Sequence, residues 1–307
     1  MVKRIYIVLF LLSLITQSCI KDDLSDCPQR RYIWFESINP KYKYGIIAKQ
    51  VNLYLYDEQQ RFVSELIYST DELNQSNGKV YIPDQIKGTY MVVALVNLSD
   101  SYQVYDTERL EMWKLLLQDI NDNKVFVRPP DIYHAVKNIS FGSDINHKAD
   151  TLYLEKNTNH IYLTITSNEP SVLEKIRPYI RASNSMSNYE NLLLGERVID
   201  YYPHDIEKYT NQAQYSLTTM LLRMGGDASM YLEEQKPDGS VTDRKLFNIT
   251  QELIKIRNNN GEKLYDTNLK LALEDEFKFI IVLDEASKII DLKINDWYVI
   301  KNYIVIK

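Results

Sequence analysis

The chain has 307 residues, of which 45% are hydrophobic and 25% are charged, so it can bury a sizeable core and is globular, not disordered. Its formal net charge is −6. That charge argues against a nucleic-acid partner, because phosphates require a basic protein face. Only two cysteines are present, Cys19 and Cys27, and if Cys19 is acylated then Cys27 has no partner within the chain. No disulfide framework can then form, so stability must come from packing.

The N-terminus has the layout of a secretory signal peptide. Lys3 and Arg4 precede an unbroken apolar run over residues 5–12. A spanning helix needs about 20 apolar residues to cross roughly 30 Å of hydrocarbon, and this run is too short. The pattern therefore predicts a signal peptide over residues 1–18, not a transmembrane anchor.

Cys19 is the predicted lipid attachment site. The small and polar residues 16–18 precede it, where bacterial lipoprotein processing acylates a thiol before cleavage. The match departs from the usual lipobox, because Thr16 stands where Leu is common. Ordinary signal cleavage nearby is the alternative, but it would leave Cys19 as a free thiol in an oxidising compartment. Two or three acyl chains on Cys19 would make attachment durable, and Cys27 is interpreted as an incidental residue of the tether.

The residues after Cys19 form the predicted tether, residues 19–30. Lys21, Asp22 and Asp23 resemble the signal by which Bacteroides-type bacteria send lipoproteins to the outer face of the outer membrane. The resemblance implies surface display. The alternative is a simple solvated tether, because acidic residues beside any membrane attachment stay in water.

The patterning beyond the tether is mainly β. Tyrosine is abundant, with 24 residues, and recurs in short alternating segments typical of half-buried strands. Val51, Leu53 and Leu55 share one face, because successive strand side chains point to opposite sides. Residues 61–68 resume an extended pattern, which predicts a hairpin, and the continuous apolar run 90–96 predicts a central strand.

The first half also contains one helix-like pattern. Leu110, Trp113, Leu116 and Leu117 recur at helical spacing, after a helix-start signal at residues 106–108. The sequence therefore predicts a helix that crosses this domain and runs toward Ile120.

A polar segment at residues 155–160 marks the predicted domain boundary, since a second clean alternation, Ile161, Leu163 and Ile165, follows it. The domains are then residues 31–154 and 155–307. Two β-sandwich domains with a few short helices fit the strand spacing better than a parallel sheet, which would need regular strand–helix alternation.

The second half has a strong turn signal at residues 237–239, Pro-Asp-Gly, between two extended runs. A short helix is predicted at 250–256. Residues 277–283 and 297–306 are the predicted closing strands.

No pattern nominates an active site. The four histidines, His134, His147, His160 and His204, are far apart and are interpreted as surface or loop residues, so no metal site is expected. There is no nucleophile elbow, phosphate-binding glycine loop or dinucleotide fingerprint. The sequence predicts neither a cofactor nor an enzyme.

Several segments together resemble one family. They are residues 19–28, 51–57 (Val-Asn-Leu-Tyr-Leu-Tyr-Asp), 88–94 (Gly-Thr-Tyr-Met-Val-Val-Ala), 131–134 and 295–298. In this order they resemble the fimbrillin-associated anchor lipoproteins of Bacteroides-type (type V) pili, over nearly the whole chain. The resemblance implies two tandem transthyretin-like β-sandwich domains. It also implies an outer-membrane location in a fimbrium, as an anchor at the base or as an accessory or adhesive subunit at the tip.

The resemblance further implies two partners, fimbrial shaft subunits and the outer-membrane lipid reached through acylated Cys19. Subunits of such pili can exchange strands, which gains main-chain hydrogen bonds and buries side chains. The last strand is the predicted exchange segment, and an ordinary final strand is the alternative. Its candidate side chains are Val299, Ile300, Tyr303, Ile304, Val305 and Ile306.

A surface lipoprotein that binds glycans for nutrient uptake is the alternative function, because exposed aromatic rings stack on sugars. Exposure of Trp34, Trp113 or Trp297 on one flat face would favour it. A pilus-tip adhesin is a further alternative.

Overall fold

The computed structural model describes residues 31–42, 48–118, 120–142 and 149–295 together with Trp297, and the backbone alone of residues 298–301. The predicted signal peptide and tether lie outside these residues, and with them Cys19, Lys21, Asp22 and Asp23. Residues 303–306, the distal part of the predicted exchange segment, also lie outside the described residues.

The described residues are mainly strands. Those of the first half are β1 (Arg31–Ser37), β2 (Gln50–Tyr56), β3 (Phe62–Ser69), β4 (Val80–Ile82), β5 (Gly88–Val96), β6 (Tyr102–Tyr105), β7 (Lys114–Leu117), β8 (Lys124–Val125), β9 (Tyr133–Phe141) and β10 (Ala149–Lys156). Those of the second half are β11 (Thr158–Ser167), β12 (Ile176–Ala182), β13 (Met186–Asn188), β14 (Ile199–Tyr201), β15 (Asp205–Lys208), β16 (Gln212–Met220), β17 (Ser229–Gln235), β18 (Val241–Asn248), β19 (Glu276–Leu283), β20 (Ile289–Ile294) and β21 (Trp297–Lys301).

The helices are short. They are α1 (Thr70–Gln75), α2 (Pro170–Lys175), α3 (Ile249–Leu253) and α4 (Asn268–Ala272). Within the described part of the chain, no helix is long and apolar enough to cross a membrane. The expected mainly-β class with a few short helices is confirmed.

The first half is built on a seven-stranded sheet in the order β3-β2-β5-β9-β10-β1-β4. Strand β10 runs parallel to β1 as far as Leu154, and then pairs with β9 only through Glu155 and Lys156. A strand that changes partner in this way turns a corner and lets one sheet fold over on itself. Ile33 and Leu152 on one side thereby pack in the same core as Leu53 and Val92 on the other.

Two expectations for this half are confirmed. Strands β2 and β3 form the predicted antiparallel hairpin. Strand β5 lies between β2 and β9, and residues 92–96 are all buried, as the continuous apolar run predicted.

The second half is a sandwich of a six-stranded sheet, β15-β16-β11-β19-β20-β21, and a five-stranded sheet, β18-β17-β12-β14-β8. Ile161, Leu163 and Ile165 of β11 point into the core, and Ile176 and Ile180 of β12 pack in the same cluster. The predicted turn at 237–239 joins β17 to β18, and α3 overlaps the helix predicted at 250–256 but begins one residue earlier and ends three residues earlier.

The helix predicted toward Ile120 is wrong. Residues Leu110–Met112 form a single 3-10 turn, and the chain then extends as β7. Trp113, Leu115 and Leu117 are buried at alternate positions, which is the period of a strand. Pairing on both sides, with β6 and with β13, outweighs the helical spacing of the same apolar residues.

The two halves are interlocked. Strand β8 of the first half extends the sheet of the second, pairing in parallel with β14, whereas β13 of the second half pairs with β7 of the first. Tyr54 and Trp113 also belong to the hydrophobic cluster that fills the second-half sandwich. The halves therefore share a core, and the domain limits 31–154 and 155–307 stay a prediction.

Candidate functional site

A buried polar cluster lies where β10 passes into β11, at the junction of the halves. We call Asp131, Lys156, His160 and Asp275 the junction cluster. Lys156 Nζ is 2.7 Å from Asp275 Oδ2 and 3.1 Å from Asp131 Oδ2. Because Lys156 and Asp275 are both buried, this ammonium exchanges its hydration for two carboxylates.

His160 completes the cluster. Its Nε2 is 3.0 Å from Asp131 Oδ1, and its Nδ1 is 3.0 Å from the hydroxyl of Thr218. His204 Nε2 lies 3.1 Å from the same hydroxyl. Strand β11 supplies His160 and strand β16 supplies Thr218, so the cluster is held by the central strands of the six-stranded sheet.

A turn of the first half closes over the cluster. The Tyr42 hydroxyl donates to Asp275 Oδ2, and Asn39 Nδ2 donates to Asp275 Oδ1 at 3.4 Å. Lys41 Nζ is 2.7 Å from Glu276 Oε2. The short turn Pro40–Tyr42 is therefore tied to the start of β19 by charges and hydrogen bonds.

The pKa values of these groups follow from their partners. Burial by itself would raise the pKa of the Asp131 carboxyl, but His160 and Lys156 outweigh it and hold that pKa well below its usual value. Burial opposes the ionisation of Asp275 too, yet hydrogen bonds from Lys156 and Tyr42 lower its pKa. Burial and the bond to Asp275 raise the pKa of Tyr42, which keeps its hydroxyl a proton donor. The cluster is thus an ion-pair network at neutral pH.

The order Asp131, His160, Thr218 matches the acid–base–nucleophile arrangement of hydrolases. However, Thr218 is only 2% exposed and is hydrogen-bonded to two imidazoles, so a substrate carbonyl cannot reach its hydroxyl. A cavity of about 730 Å³ opens beside Asp131 and is lined also by Gln50, Asn97 and Arg128, and Thr218 is not part of its wall. The arrangement is structural.

The interpretation of the histidines as surface or loop residues is wrong for two of them. His134 in β9 and His160 in β11 are buried strand residues, 3% and 5% exposed. His204 is partly buried, and His147 lies outside the described residues. Burial lowers the pKa of His134 to about 4; the charge of Arg223 lowers it further, and a hydrogen bond with the backbone of Tyr189 opposes both effects. His134 is therefore neutral at pH 7.

Sequence reasoning missed the junction cluster because its signal is ambiguous. The polar run 155–160 was interpreted only as a domain boundary, yet Asn157, Thr158 and Asn159 are buried there. Asp131 and Asp275 precede strands far away along the chain. The available signal was a lysine and a histidine four residues apart beside two strands, which does not by itself distinguish a linker from a buried network.

Neither a metal site nor an exposed tryptophan face emerges. In the part of the chain that the structure describes, no group of three or more His, Cys, Asp and Glu side chains could hold a metal ion. Trp113 is fully buried, Trp34 is 37% exposed and Trp297 is partly buried against the second-half core. The three tryptophans thus do not form one exposed face.

The six-stranded sheet ends in two contrasting edge strands, β15 and β21. Strand β15, Asp-Ile-Glu-Lys, is exposed throughout and carries three charges, a common device against unwanted strand pairing. Strand β21, Trp-Tyr-Val-Ile-Lys, contains no acidic residue and pairs antiparallel with β20. It includes Val299 and Ile300 of the predicted exchange segment, whose backbone therefore belongs to an edge strand.

The fold and the junction define a mainly-β protein of several sheets, with a structural polar network where its two halves meet. The chain belongs to the family of fimbrillin-A associated anchor proteins Mfa1 and Mfa2, whose model matches residues 24–303. The expected family is thereby confirmed, and membership supports a fimbrial accessory role. No curated protein sequence matches the chain.

Solved structures share this fold at low identity. The fimbrial anchor protein Mfa2 from Porphyromonas gingivalis matches with a TM-score of 0.69 at 15% identity, over 89% of this chain and 99% of that one. A candidate polysaccharide-binding protein from Bacteroides thetaiotaomicron matches with a TM-score of 0.74 at 19% identity, over 88% and 96% of the two chains. A candidate adhesin from Bacteroides ovatus gives 0.71 at 18% identity, over 88% and 94%. At these identities the likeness shows the fold alone.

Replacing Asp275 with asparagine should destabilise the protein by about 3 kcal/mol, because it leaves the buried Lys156 with one carboxylate instead of two. Urea unfolding followed by circular dichroism would measure the loss. Asp266→Asn is the matched control, since Asp266 forms an ion pair of similar length with Lys270, 2.8 Å, on the surface. The control should change stability little. Equal effects of the two variants would contradict a structural role for the junction cluster.

Acidification from pH 7 should destabilise the protein through His134. The unfolded state takes up a proton near pH 6.5, whereas the folded state resists it to about 4. Stability is therefore full above 6.5 and is lost as pH falls toward 4, by about 3 kcal/mol for this group. Urea midpoints at pH 7, 6 and 5 should fall less steeply in His134→Gln than in the wild type. Parallel profiles would refute the assignment, since the carboxylates of the junction cluster titrate only at lower pH.

Proposed function

We propose that the chain is an outer-membrane lipoprotein that anchors or nucleates a fimbrium at the cell surface. The observation that carries the proposal is the family match, which begins at residue 24, shortly after Cys19. The matched region thus follows the predicted lipid attachment site almost directly. The role is structural and requires no catalysis, in keeping with the burial of Thr218.

Lipid on Cys19 supplies the membrane attachment in this proposal, and Lys21, Asp22 and Asp23 direct the protein to the outer face. Its partners are the outer-membrane lipid and the fimbrial shaft subunits. A shared core and the interlocked strands β8 and β13 support the anchor role, because a pull on the second half passes to the first through hydrogen-bonded strands.

Strand complementation with a shaft subunit involves β21 in this proposal. The strand is hydrogen-bonded to β20 on one side, and among the described residues it has no partner strand on the other. A strand of a shaft subunit can extend the sheet there, or β21 can itself be lent to a neighbour. The charged edge β15 is unsuited to the same use.

Replacing Cys19 with alanine should release fimbriae from cells, because the anchor loses its acyl chains. Cys27→Ala is the matched control, because it also removes a thiol, eight residues further along the chain, but leaves the predicted lipid attachment site intact. Radiolabelled palmitate incorporation, membrane fractionation and counts of cell-attached fimbriae by electron microscopy would be compared in both strains. Cys27→Ala should resemble the wild type in all three.

Normal, cell-attached fimbriae in the Cys19→Ala strain would overturn the anchor role. Membrane-bound wild-type protein that resists protease treatment of intact cells would instead overturn surface display alone. The two parts of the proposal are therefore tested separately.

Replacing Val299 in β21 with lysine should lower the number of attached fimbriae, because a lysine on an edge strand discourages the addition of another strand. Ile206→Lys places the same charge on the opposite edge strand, β15, where Ile206 is 44% exposed, and should have no effect. Protein on the cell surface would be quantified with antibody so that fimbriae are counted per molecule. Equal counts per molecule in both variants would remove β21 from the assembly.

A further inference from the structure

We infer that the outward face of strands β4, β1 and β10 rests on the lipid surface and orients the anchored protein there. The face consists of Tyr32 and Trp34 on β1, Tyr81 on β4 and Tyr153 on β10, and we call it the aromatic face. The inference rests on the proposed lipid anchor, because the anchor is what brings this face to the membrane.

Strand geometry places these four side chains together. Ile33 is fully buried in the core, so its neighbours Tyr32 and Trp34 point to the other side of the sheet. Tyr32 is directly opposite Tyr81 in the β1–β4 pair. The β1–β10 register places Tyr153 opposite Glu36, two residues beyond Trp34 on the same face.

The aromatic face is open to solvent in the isolated protein. Trp34 is 37% exposed and Tyr153 is 59% exposed, although each could have been buried in a core of this size. Exposed clusters of large aromatic rings are uncommon on free surfaces and mark interaction sites. The aromatic face is therefore a candidate binding surface.

The arrangement of the rings argues for lipid over sugar. The Tyr32 and Trp34 rings meet at 80°, and the Tyr32 and Tyr81 rings at 70°, so they form no flat platform on which a sugar could stack. The ammonium of Lys79 sits over two of the rings, 4.9 Å from the centre of Tyr32 and 5.2 Å from that of Trp34. Tryptophan and tyrosine prefer the headgroup level of a membrane, where a nearby lysine can reach lipid phosphates.

The length of the tether brings this face close to the bilayer. Eleven residues lie between Cys19 and Arg31, the first residue of β1, so the two ends are at most about 40 Å apart when the tether is extended. Trp34 follows three residues later, about 10 Å along the strand. The aromatic face thus begins where the tether ends. Acyl chains and rings together would fix the tilt of the protein, which a lipid tether alone leaves free.

Fluorescence quenching by brominated lipid tests the inference on the full-length lipidated protein. The protein would be reconstituted into vesicles of phosphatidylethanolamine and phosphatidylglycerol, with and without brominated acyl chains. We expect quenching in the wild type and its loss in Trp34→Phe. Trp297→Phe is the matched control and should keep the quenching. Tyr153→Ser keeps Trp34 as the fluorophore but weakens the aromatic face, so it should reduce the quenching. This variant tests the contact independently of any folding defect in Trp34→Phe.

The possible outcomes distinguish lipid from polysaccharide or a shaft subunit as the partner of the aromatic face. They also distinguish failure of this contact from failure of the lipid anchor. Flotation of the wild type with the vesicles but without quenching would overturn the aromatic-face contact and leave the lipid anchor standing. Failure to float would overturn the anchor and the contact together. A blue shift of Trp34 emission on addition of purified surface polysaccharide, or of shaft subunit, in protein that bromolipid does not quench would assign the face to that partner instead.

Discussion

The buried ion pair between Lys156 and Asp275 is the interaction on which the arrangement of the two halves depends. Lys156 ends the last strand of the first half, and Asp275 precedes a central strand of the second. Each charge is buried chiefly against the other, because an uncompensated ion in the interior costs several kcal/mol. The pair therefore requires one relative placement of the halves, and Tyr42 and His160 supply the hydrogen bonds that complete it.

Interlocked strands reinforce this placement. Strands β8 and β13 each add to a sheet of the opposite half, and Trp113 packs in the cluster that fills the second sandwich. Hydrogen-bonded strands resist sliding, whereas a flexible linker between separate domains would let the domains move relative to each other. In the proposed anchor, this rigidity would join β1, which follows the predicted lipid attachment site, to the edge strand β21. The aromatic face would extend the same rigidity to the bilayer.

Much of the fold could be predicted from local patterns, and the failures have a common cause. The hairpin of β2 and β3, the buried strand β5 and the alternation of β11 each follow from residues within one segment, so period and turn chemistry were sufficient. Trp113 and Leu117 were misassigned to a helix because their spacing satisfies both periods in part. These residues form strand β7 because they pair with β13, some 70 residues further along the chain.

The sequence by itself determined the mainly-β class and the family, and it predicts an export signal, because each depends on patterns within short segments of the chain. Only the tertiary structure decided that polar residues 156–160 are buried, that His134 is neutral, and that Trp34 shares a face with Tyr153. These properties arise from contacts between distant segments. Burial and ion pairing change the free energy of a charge by several kcal/mol, and neither can be read from the identity of the residue that carries it.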